Sequence, residues 1–254
     1  MKTINLHILA DKTPKAKKMR KLLIKSHMGF TPKACDCIVV IGGDGFMLDS
    51  IKKYQKYKKP FYGINTGNRG FLLNKFNNGN LISKINKATE IYLFPLEAKI
   101  KTRNLTKKVI AINEVSVFRQ SKQTTQLEVM INNKTKVKEL IGDGILVATP
   151  AGSTAYNLSA KGPVLNLESH YLAVTPISPF KPRHWGGIKV SNKSKILIKN
   201  LDNNKRPVSA VADNIEIKNI NSVEIKLNKN NKFILLYNKK YGLKERNLAE
   251  QFKF

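Results

Sequence analysis

The chain has 254 residues, of which 41% are hydrophobic, and its 46 Lys and Arg against 17 Asp and Glu give a formal net charge of +29. This length and apolar content predict a globular protein with one large domain or two smaller ones, and the lack of an apolar run of about 18 residues predicts no membrane-spanning helix. Only seven of the 46 basic residues are Arg, and the lysines are spread along the whole chain, which argues against nucleic-acid binding as the main role. The charge should instead steer anionic substrates toward the protein.

Strand-like and helix-like segments alternate over the first 95 residues. The predicted strands are residues 3–10, 37–41 and 60–65, and the predicted helices are residues 14–28, 46–57 and 81–88. Thr13 before Pro14 offers an N-cap and a first-turn proline to the first of these helices. The first strand begins without the long apolar stretch of a signal peptide. Because strands alternate with helices, we expect a parallel sheet with a Rossmann-like winding.

Cys35 and Cys37 are the only cysteines and lie at the edge of the second predicted strand. A spacing of two is too short for an ordinary disulfide, and two thiols are too few for a metal site. We interpret them as reduced thiols in a core, which is consistent with a cytoplasmic location. The four histidines show no metal-ligand spacing, so we expect no metal site built by the protein itself.

Short runs with alternating apolar residues follow from about Ile91 to Tyr237. They are residues 109–118, 126–131, 136–141, 145–148, 171–175, 195–198, 208–211, 215–217, 223–227 and 233–237. Asn132-Asn133 is typical of a hairpin turn. Strands in succession without helices predict an all-β, sandwich-like domain. We therefore divide the chain into an α/β domain of residues 1–95, a β-rich domain of residues 96–237 and a tail of residues 238–254, whose alternation is compatible with a helix.

A glycine-rich turn, Gly42-Gly43-Asp44-Gly45, follows the second predicted strand and precedes a helix. In open α/β sheets ligands lie at the carboxyl ends of the strands, and glycines allow backbone N–H groups to approach a phosphate. Asp44 would repel a bare phosphate, but it could accept the proton of a hydroxyl that attacks phosphorus. Alternatively, Asp44 caps the helix. The turn is neither the dinucleotide fingerprint nor a P-loop.

Asn113 and Glu114 interrupt an otherwise apolar strand. A buried carboxylate without compensation is costly, so Glu114 should meet either water or the donor groups of a ligand. Adjacent residues on a strand point to opposite faces, so both residues can reach one ligand only at a strand end or a bulge. A solvated strand end is the alternative interpretation.

The third and longest stretch, residues 142–160, contains the run Thr149-Pro150-Ala151-Gly152-Ser153-Thr154-Ala155-Tyr156. The pattern predicts a strand that ends in a proline-glycine turn, followed by a helical segment. Small side chains there would let a ribose or an aromatic ring lie against the backbone, and Ser and Thr hydroxyls would supply hydrogen bonds. An ordinary capped helix would explain Ser153 and Thr154 but not the whole run.

Together, these three stretches resemble the NAD kinase family, of the bacterial type, over nearly the full chain. The run at residues 149–156 is the most specific, whereas the glycine-Asp turn also occurs in lipid kinases and phosphofructokinases. The resemblance implies an α/β N-terminal domain, a β-rich C-terminal domain and a homo-oligomer, a dimer or a tetramer. It also implies phosphorylation of the adenosine 2′-hydroxyl of NAD to give NADP, with ATP and Mg²⁺ or another divalent cation.

The resemblance further implies roles for individual residues. Asp44 would be the general base toward the 2′-hydroxyl, in a phosphate loop formed by Gly42, Gly43 and Gly45. Asp143 would contact the nicotinamide end of NAD. The implied NAD-binding residues are Gly45, Phe71, Asn113, Glu114, Ile141, Asp143, Thr154, Ala155, Tyr156, Asn157, Leu158, Ser159, Ile177 and Asn214, with Asp213 as the alternative to Asn214.

Two positions depart from the pattern of the family. Ile141 stands where many members carry a basic residue, so a cationic contact to the ligand is either missing or supplied by another Lys or Arg. Lys161 stands where a glycine usually precedes Gly162-Pro163, so a helix end that favours positive φ would have to tolerate a side chain. Neither change affects Asp44.

Two other functions are compatible with parts of this pattern. A lipid or sphingoid-base kinase would share the glycine-Asp turn, but the Ser-Thr-Ala-Tyr run argues against it. A catalytically silent NAD-binding regulator would share all three stretches and would form no NADP.

Overall fold

The computed structural model describes residues 4–26, 29–67, 70–75 and 79–238, which fall into two compact units. The first unit contains the described residues up to Leu93 together with residues 232–238, and the second extends from Phe94 to Asn231. The first is α/β and the second is a β-rich sandwich, which confirms the predicted fold class. Among the described helices, none is both long and apolar enough to span a membrane.

The described part of the first unit is a six-stranded sheet with helices. Numbered along the chain, its strands are β1 (Leu6–Ala10), β2 (Cys37–Gly42), β3 (Phe61–Asn65), β4 (Asn74–Lys75), β5 (Thr89–Leu93) and, near the end, β18 (Phe233–Tyr237). Its helices are α1 (Pro14–Ser26), α2 (Asp44–Tyr54) and α3 (Leu81–Asn86), with a 3₁₀ turn at Gln55–Tyr57. The strand order is β1-β2-β3-β18-β5, and β4 pairs with β3.

The parallel strands β1, β2 and β3 are connected through α1 and α2, as the alternating pattern predicts. At the start of α1 the hydroxyl of Thr13 accepts a hydrogen bond from the backbone N of Ala16 (3.4 Å), so the expected N-cap is present. Every residue of β2 is buried, because both faces of the sheet are covered. Cys35 and Cys37 are buried and form no disulfide, and burial raises the pKa of both thiols.

Strand β18 belongs to the first unit, whereas the sequence pattern predicts residues 233–237 as part of the β-rich domain. It runs parallel to β3 and antiparallel to β5, and Leu236 is buried in the core of the first unit. The apolar run predicts a strand but contains no information about its partner, since pairing between distant segments is decided by tertiary packing. The predicted boundary at Tyr237 therefore differs from the observed one, and the predicted tail from residue 239 onward lies outside the described residues.

The second unit is a sandwich of two six-stranded antiparallel sheets. Its strands are β6 (Leu96–Thr102), β7 (Thr106–Ala111), β8 (Glu114–Arg119), β9 (Thr125–Ile131), β10 (Lys134–Gly142), β11 (Gly144–Ala148), β12 (Tyr171–Ile177), β13 (Ile188–Ser191), β14 (Ile196–Asn200), β15 (Val208–Ala212), β16 (Ile215–Ile217) and β17 (Ile220–Leu227). A 3₁₀ turn (Gly152–Thr154) and a short helix, α4 (Tyr156–Ser159), follow β11. The sheet orders are β10-β9-β14-β17-β6-β7 and β13-β12-β11-β8-β15-β16.

Strand β11 shows how the sandwich positions the polar run that follows it. Ile145 and Val147 lie in the core between the two sheets, whereas Leu146 and Ala148 face the other side and pack with Leu165. Because this outer face is also covered, all five residues of β11 are buried. Through Ala160 and Leu165, the segment after β11 covers the outer face of the second sheet.

Two local predictions in the second unit have different outcomes. The hairpin at Asn132-Asn133 is confirmed, since these residues have φ values of 51° and 64° and connect the antiparallel strands β9 and β10. The single strand predicted over residues 109–118 is instead two strands, β7 and β8, separated by Ile112-Asn113.

Candidate functional site

The glycine-Asp turn lies at the carboxyl end of β2, beside the end of β3, where the backbone N of Thr66 donates to the carbonyl O of Gly42 (3.1 Å). A Cβ atom on Gly42 would lie 2.8 Å from Oδ2 of Asp11, so a side chain there would require the Asp11 side chain to shift. At Gly43 and Gly45 no neighbour lies within 4 Å of the Cβ position, and neither residue has positive φ. Packing and conformation therefore do not explain these two glycines, whereas close approach of a ligand to the backbone would.

Asp44 is the first residue of α2, and its carboxylate binds the loop that follows β3. Oδ2 accepts from the backbone N of Phe71 (2.6 Å) and Oδ1 from the backbone N of Leu72 (2.7 Å). Gly43 is the N-cap of α2 and no side chain caps this helix. Asp44 is thus not a helix cap, although its negative charge lies at the favourable end of the helix dipole.

The carboxylate of Asp44 keeps acceptor capacity beyond these two bonds. Each carboxylate oxygen has two lone pairs, and each accepts one backbone N–H from the loop. The hydroxyl of Tyr237 donates to the carbonyl O of Phe71, so the loop is held from a second direction. Asp44 is therefore oriented by the fold and can still accept a proton from a hydroxyl group.

In the second unit the predicted pair Asn113 and Glu114 lies at a strand end. Strand β7 ends at Ala111 and β8 begins at Glu114, so the condition for both side chains to reach one ligand is met. Thr149 holds this turn through its backbone N, which donates to the carbonyl O of Asn113 (2.9 Å), and its hydroxyl, which donates to the carbonyl O of Ile112 (2.7 Å). The pair and the polar run after β11 therefore form one continuous region.

Within that run, Ser153 and Asn157 are fully buried and hold the segment together. The hydroxyl of Ser153 accepts from the backbone N of Leu165 (2.9 Å). The amide group of Asn157 donates to the carbonyl O of Ser153 (3.0 Å) and accepts from the hydroxyl of Thr175 (2.7 Å). We expected Asn157 among the NAD-binding residues, but the structure uses both ends of its amide group within the protein.

An open depression of about 600 Å³ in the second unit brings together Asp143, Tyr156 and Ile177. The remaining residues that line it are Phe118, Arg119, Gln120, Ser121 and Lys122. The rings of Phe118 and Tyr156 lie 5.6 Å apart between centroids and are tilted by 45°, which forms an aromatic wall. Burial and, less strongly, the carboxylates of Asp143 and Glu114 raise the pKa of Tyr156, so its hydroxyl remains neutral and can donate a hydrogen bond.

Arg119 is a charged residue of this depression that is not predicted from the sequence. Its Nε lies 2.6 Å from Oδ1 of Asp143, and its Nη1 donates to the carbonyl O of Ser121 (2.8 Å). Arg119 and Asp143 are 24 positions apart, and only the pairing of β8 with β11 brings them together. Ile141, the position at which many family members carry a basic residue, is half-buried, and its backbone forms hydrogen bonds with that of Lys181.

The other predicted residues of the second unit differ in exposure. Thr154, Ala155 and Leu158 are half-buried, Ser159 is exposed at the end of α4, and Asn214 is exposed in the turn between β15 and β16. Within the described ranges no three His, Cys, Asp or Glu side chains are grouped as metal ligands would be.

Comparison with known proteins identifies both halves of the chain. A family model described as the ATP-NAD kinase N-terminal domain matches residues 6–91, and one described as the ATP-NAD kinase C-terminal domain matches residues 112–237. An NAD kinase of Brucella suis biovar 1 is 41% identical over 252 residues, which cover 99% of this chain and 98% of the relative. An NAD kinase of Zymomonas mobilis is 41% identical over 256 residues, covering 100% and 99% of the two chains.

Solved structures share the fold at lower identity. The yeast NADH kinase complexed with NADH superposes with a TM-score of 0.81 at 18% identity, over 99% of this chain and 89% of that chain. An NAD kinase from Archaeoglobus fulgidus in complex with ATP superposes with a TM-score of 0.75 at 23% identity, over 97% and 98% of the two chains.

Proposed function

The chain belongs to the NAD kinase family, and we propose, from this membership and from the geometry above, how its residues phosphorylate NAD to NADP with ATP as the phosphoryl donor. The observation that carries this function is that both domain models of the family match in order along the chain. The reaction transfers the γ-phosphoryl group of ATP to the adenosine 2′-hydroxyl of NAD and releases ADP.

Asp44 is proposed as the general base. It accepts the proton of the 2′-hydroxyl while the hydroxyl oxygen attacks the γ-phosphorus and the bond to ADP breaks. Its position at the carboxyl end of β2 supports this role, as does the acceptor capacity that remains after it binds Phe71 and Leu72. Gly42, Gly43 and Gly45 are proposed to lie against phosphate groups, with the bare backbone at Gly43 and Gly45 as the support.

The NAD-binding residues of the second unit are proposed as follows. Asn113 and Glu114 bind ribose and adenine, and their position between the end of β7 and the start of β8 supports this role. Asp143 contacts the nicotinamide end, whereas Tyr156 lines the adenine and ribose pocket and Ile177 lies against the adenine; that all three line the depression supports these roles. Further contacts are proposed for Gly45, Phe71, Ile141, Thr154, Ala155, Leu158, Ser159 and Asn214. For Asn157 we propose support of the segment instead of direct contact.

Arg119 is proposed to supply the positive charge that Ile141 lacks. It lies in the depression with Asp143, and its guanidinium keeps donors beyond the two that it uses on Asp143 and Ser121. Those donors can bind a carbonyl or phosphate oxygen of a ligand.

Three further features are proposed: a divalent cation, a homo-oligomer and a cytoplasmic location. A divalent cation such as Mg²⁺ would offset charge on the phosphates, held mainly by phosphate and water oxygens. A homo-oligomer is supported by large exposed apolar side chains such as Phe180, which is 60% exposed.

A cytoplasmic location is supported by the two buried cysteines without a disulfide.

An assay of the purified protein with NAD, ATP and Mg²⁺ tests the function. We expect NADP, detected with an NADP-specific dehydrogenase, and ADP in equal amounts. Binding of NAD without formation of NADP would indicate a silent regulator, and phosphorylation of a sphingoid base without phosphorylation of NAD would indicate a lipid kinase.

The Asp44→Asn variant tests the proposed base. We expect turnover to collapse while the Kd for NAD stays within a few fold, and Asp49→Asn on the same helix serves as the matched control. Asn keeps one acceptor oxygen but turns an N–H donor toward one of the two loop amides, so amide exchange at Phe71 and Leu72 must be measured as well. If turnover survives in Asp44→Asn, Asp44 is not the base.

A further inference from the structure

The carboxylate of Asp213 binds three successive backbone N–H groups of the turn between β7 and β8. Oδ2 accepts from the N of Ile112 (2.8 Å), and Oδ1 accepts from the N of Asn113 (2.9 Å) and of Glu114 (3.3 Å). The backbone N of Asp213 in return donates to the carbonyl O of Glu114 (3.1 Å). A single side chain thus satisfies the backbone donors at the point where the strand is interrupted.

Asp213 adopts a backbone conformation that usually favours glycine. It is the first residue of the two-residue turn between β15 and β16, and its φ is 52°. Asp tolerates this left-handed region better than most residues, but glycine has no steric cost there. Because glycine lacks the carboxylate, the bonds to residues 112–114 are the physical reason for an acidic residue at this position.

The turn that carries Asn113 and Glu114 is therefore held from two sides. Strand β8 lies between β11 and β15 in the second sheet. Thr149, directly after β11, binds the carbonyl groups of Ile112 and Asn113, and Asp213, directly after β15, binds the amide groups. With donors and acceptors both bound, the direction of the two side chains is determined by the flanking strands.

We propose that Asp213 is a positioning residue for NAD: its carboxylate orients Asn113 and Glu114 and thereby sets the affinity for NAD, without itself contacting the ligand. This inference rests on the proposed roles of Asn113 and Glu114. It assigns to Asp213 a function different from the direct contact implied by the family resemblance, because the carboxylate is directed at the backbone of the turn.

Asp213→Gly and Asp213→Asn test the proposal together. Glycine removes the carboxylate and suits the positive φ, so the fold should be retained while the KM for NAD rises at least about tenfold and the KM for ATP changes less than about twofold. Asn tolerates the same conformation and keeps one acceptor oxygen, so we expect a smaller rise of about threefold. Amide hydrogen exchange at residues 112–114 should be fastest in Asp213→Gly, slower in Asp213→Asn and slowest in the wild type.

Asp202→Gly is the matched control. Its carboxylate also accepts from a backbone N–H of a turn in the second unit, that of Lys205 (2.9 Å), and the proposal expects no change in the KM for NAD. An unchanged KM for NAD in Asp213→Gly would overturn the proposal, and so would an equal rise in the KM for NAD and for ATP. If Asp213→Gly does not fold, Asp213→Asn is compared with the wild type instead, and an unchanged KM for NAD in Asp213→Asn would overturn the proposal.

Asn113→Ala separates this inference from the function on which it rests. If Asn113→Ala leaves the KM for NAD unchanged, the proposed role of the turn is wrong. If Asn113→Ala raises the KM and Asp213→Gly does not, the turn binds NAD and the positioning role alone is wrong.

Discussion

A Cβ atom on Gly152 would lie 2.1 Å from the carbonyl oxygen of Asn113 and 2.4 Å from its carbonyl carbon. Real Cβ atoms do not approach backbone atoms this closely, and a backbone carbonyl cannot rotate away as a flexible side chain can. Gly152 therefore allows the polar run after β11 to lie directly on the turn that carries Asn113. Two stretches that are separate in the sequence form one surface because one residue has no side chain.

We expect Gly152→Ala to push the turn away from the run. Unfolding in urea should show a loss of about 1–3 kcal/mol, the usual cost of overpacking, and the KM for NAD should rise about tenfold or more. Gly186→Ala is the control, since no neighbour lies within 4 Å of its Cβ position. Equal stability and equal KM values in the two variants would contradict the importance of this contact.

Arg119→Ala should weaken NAD binding without much effect on stability. The side chains of Arg119 and Asp143 are 41% and 38% exposed, so their ion pair should contribute less than about 1 kcal/mol to folding. We expect the KM for NAD to rise about fivefold to tenfold, which corresponds to the loss of one or two charge-assisted hydrogen bonds.

Two variants make the test of Arg119 specific. Arg119→Lys keeps the charge but not the planar fork of donors, so its KM should lie between those of Arg119→Ala and the wild type. Lys195→Ala breaks a comparably exposed pair with Glu224 (3.2 Å) and should leave the KM unchanged. A loss of affinity in Lys195→Ala as large as that in Arg119→Ala would indicate a general effect of net charge.

Lys161 carries a side chain at positive φ, with a φ value of 60° after α4. The family pattern has a glycine at this position, and Lys161 adopts the left-handed conformation expected there. A left-handed conformation costs a non-glycine residue roughly 1 kcal/mol, so Lys161→Gly should raise the free energy of unfolding by about that amount. Lys161→Ala removes the same side chain without relieving φ and should show no gain. Equal stability of the two variants in urea would rule out backbone strain at this position.

The raised pKa of Tyr62 predicts that the folded state loses stability at alkaline pH. Its hydroxyl donates to Oδ1 of Asn238 (3.1 Å), and burial raises its pKa to about 12. The pKa of an unfolded tyrosine is about 10, so between these two values the unfolded chain releases a proton that the folded chain retains. The folded state therefore loses stability as the pH rises from 10 to 12, by about 1.4 kcal/mol at pH 11.

Unfolding in urea at pH 9 and pH 11 measures this effect. Tyr62→Phe cannot ionise, so its loss between the two pH values should be smaller than that of the wild type by about 1.4 kcal/mol. Tyr171→Phe replaces a tyrosine that is 51% exposed and should behave as the wild type does. The same pH dependence in all three proteins would show that Tyr62 does not resist ionisation in the folded state.

Local features of the sequence predicted much of the fold. The glycine-Asp turn between β2 and α2 and the hairpin at Asn132-Asn133 lie where the sequence places them. These features depend on residues that are neighbours in the chain, since apolar spacing and the conformational preferences of Gly and Asn act over a few positions. The same local patterns gave two wrong predictions. A single strand was predicted over residues 109–118, because a short window does not show the interruption that Asp213 holds. Strand β18 was predicted in the wrong domain, because a short window does not show its partner strand.

By itself, the sequence determined the α/β and β-sandwich classes, the position of Asp44 after a buried strand, and the three polar stretches that resemble the NAD kinase family. Only the tertiary structure decided which groups those stretches contact. The bond of Asp44 to the backbone of Phe71, the contact of Gly152 with Asn113, the pairing of Arg119 with Asp143 and the three bonds of Asp213 all join residues from different strands or loops. Periodicity and propensity act along the chain, whereas these contacts arise from the order of strands within each sheet, and that order places distant polar groups within hydrogen-bonding distance.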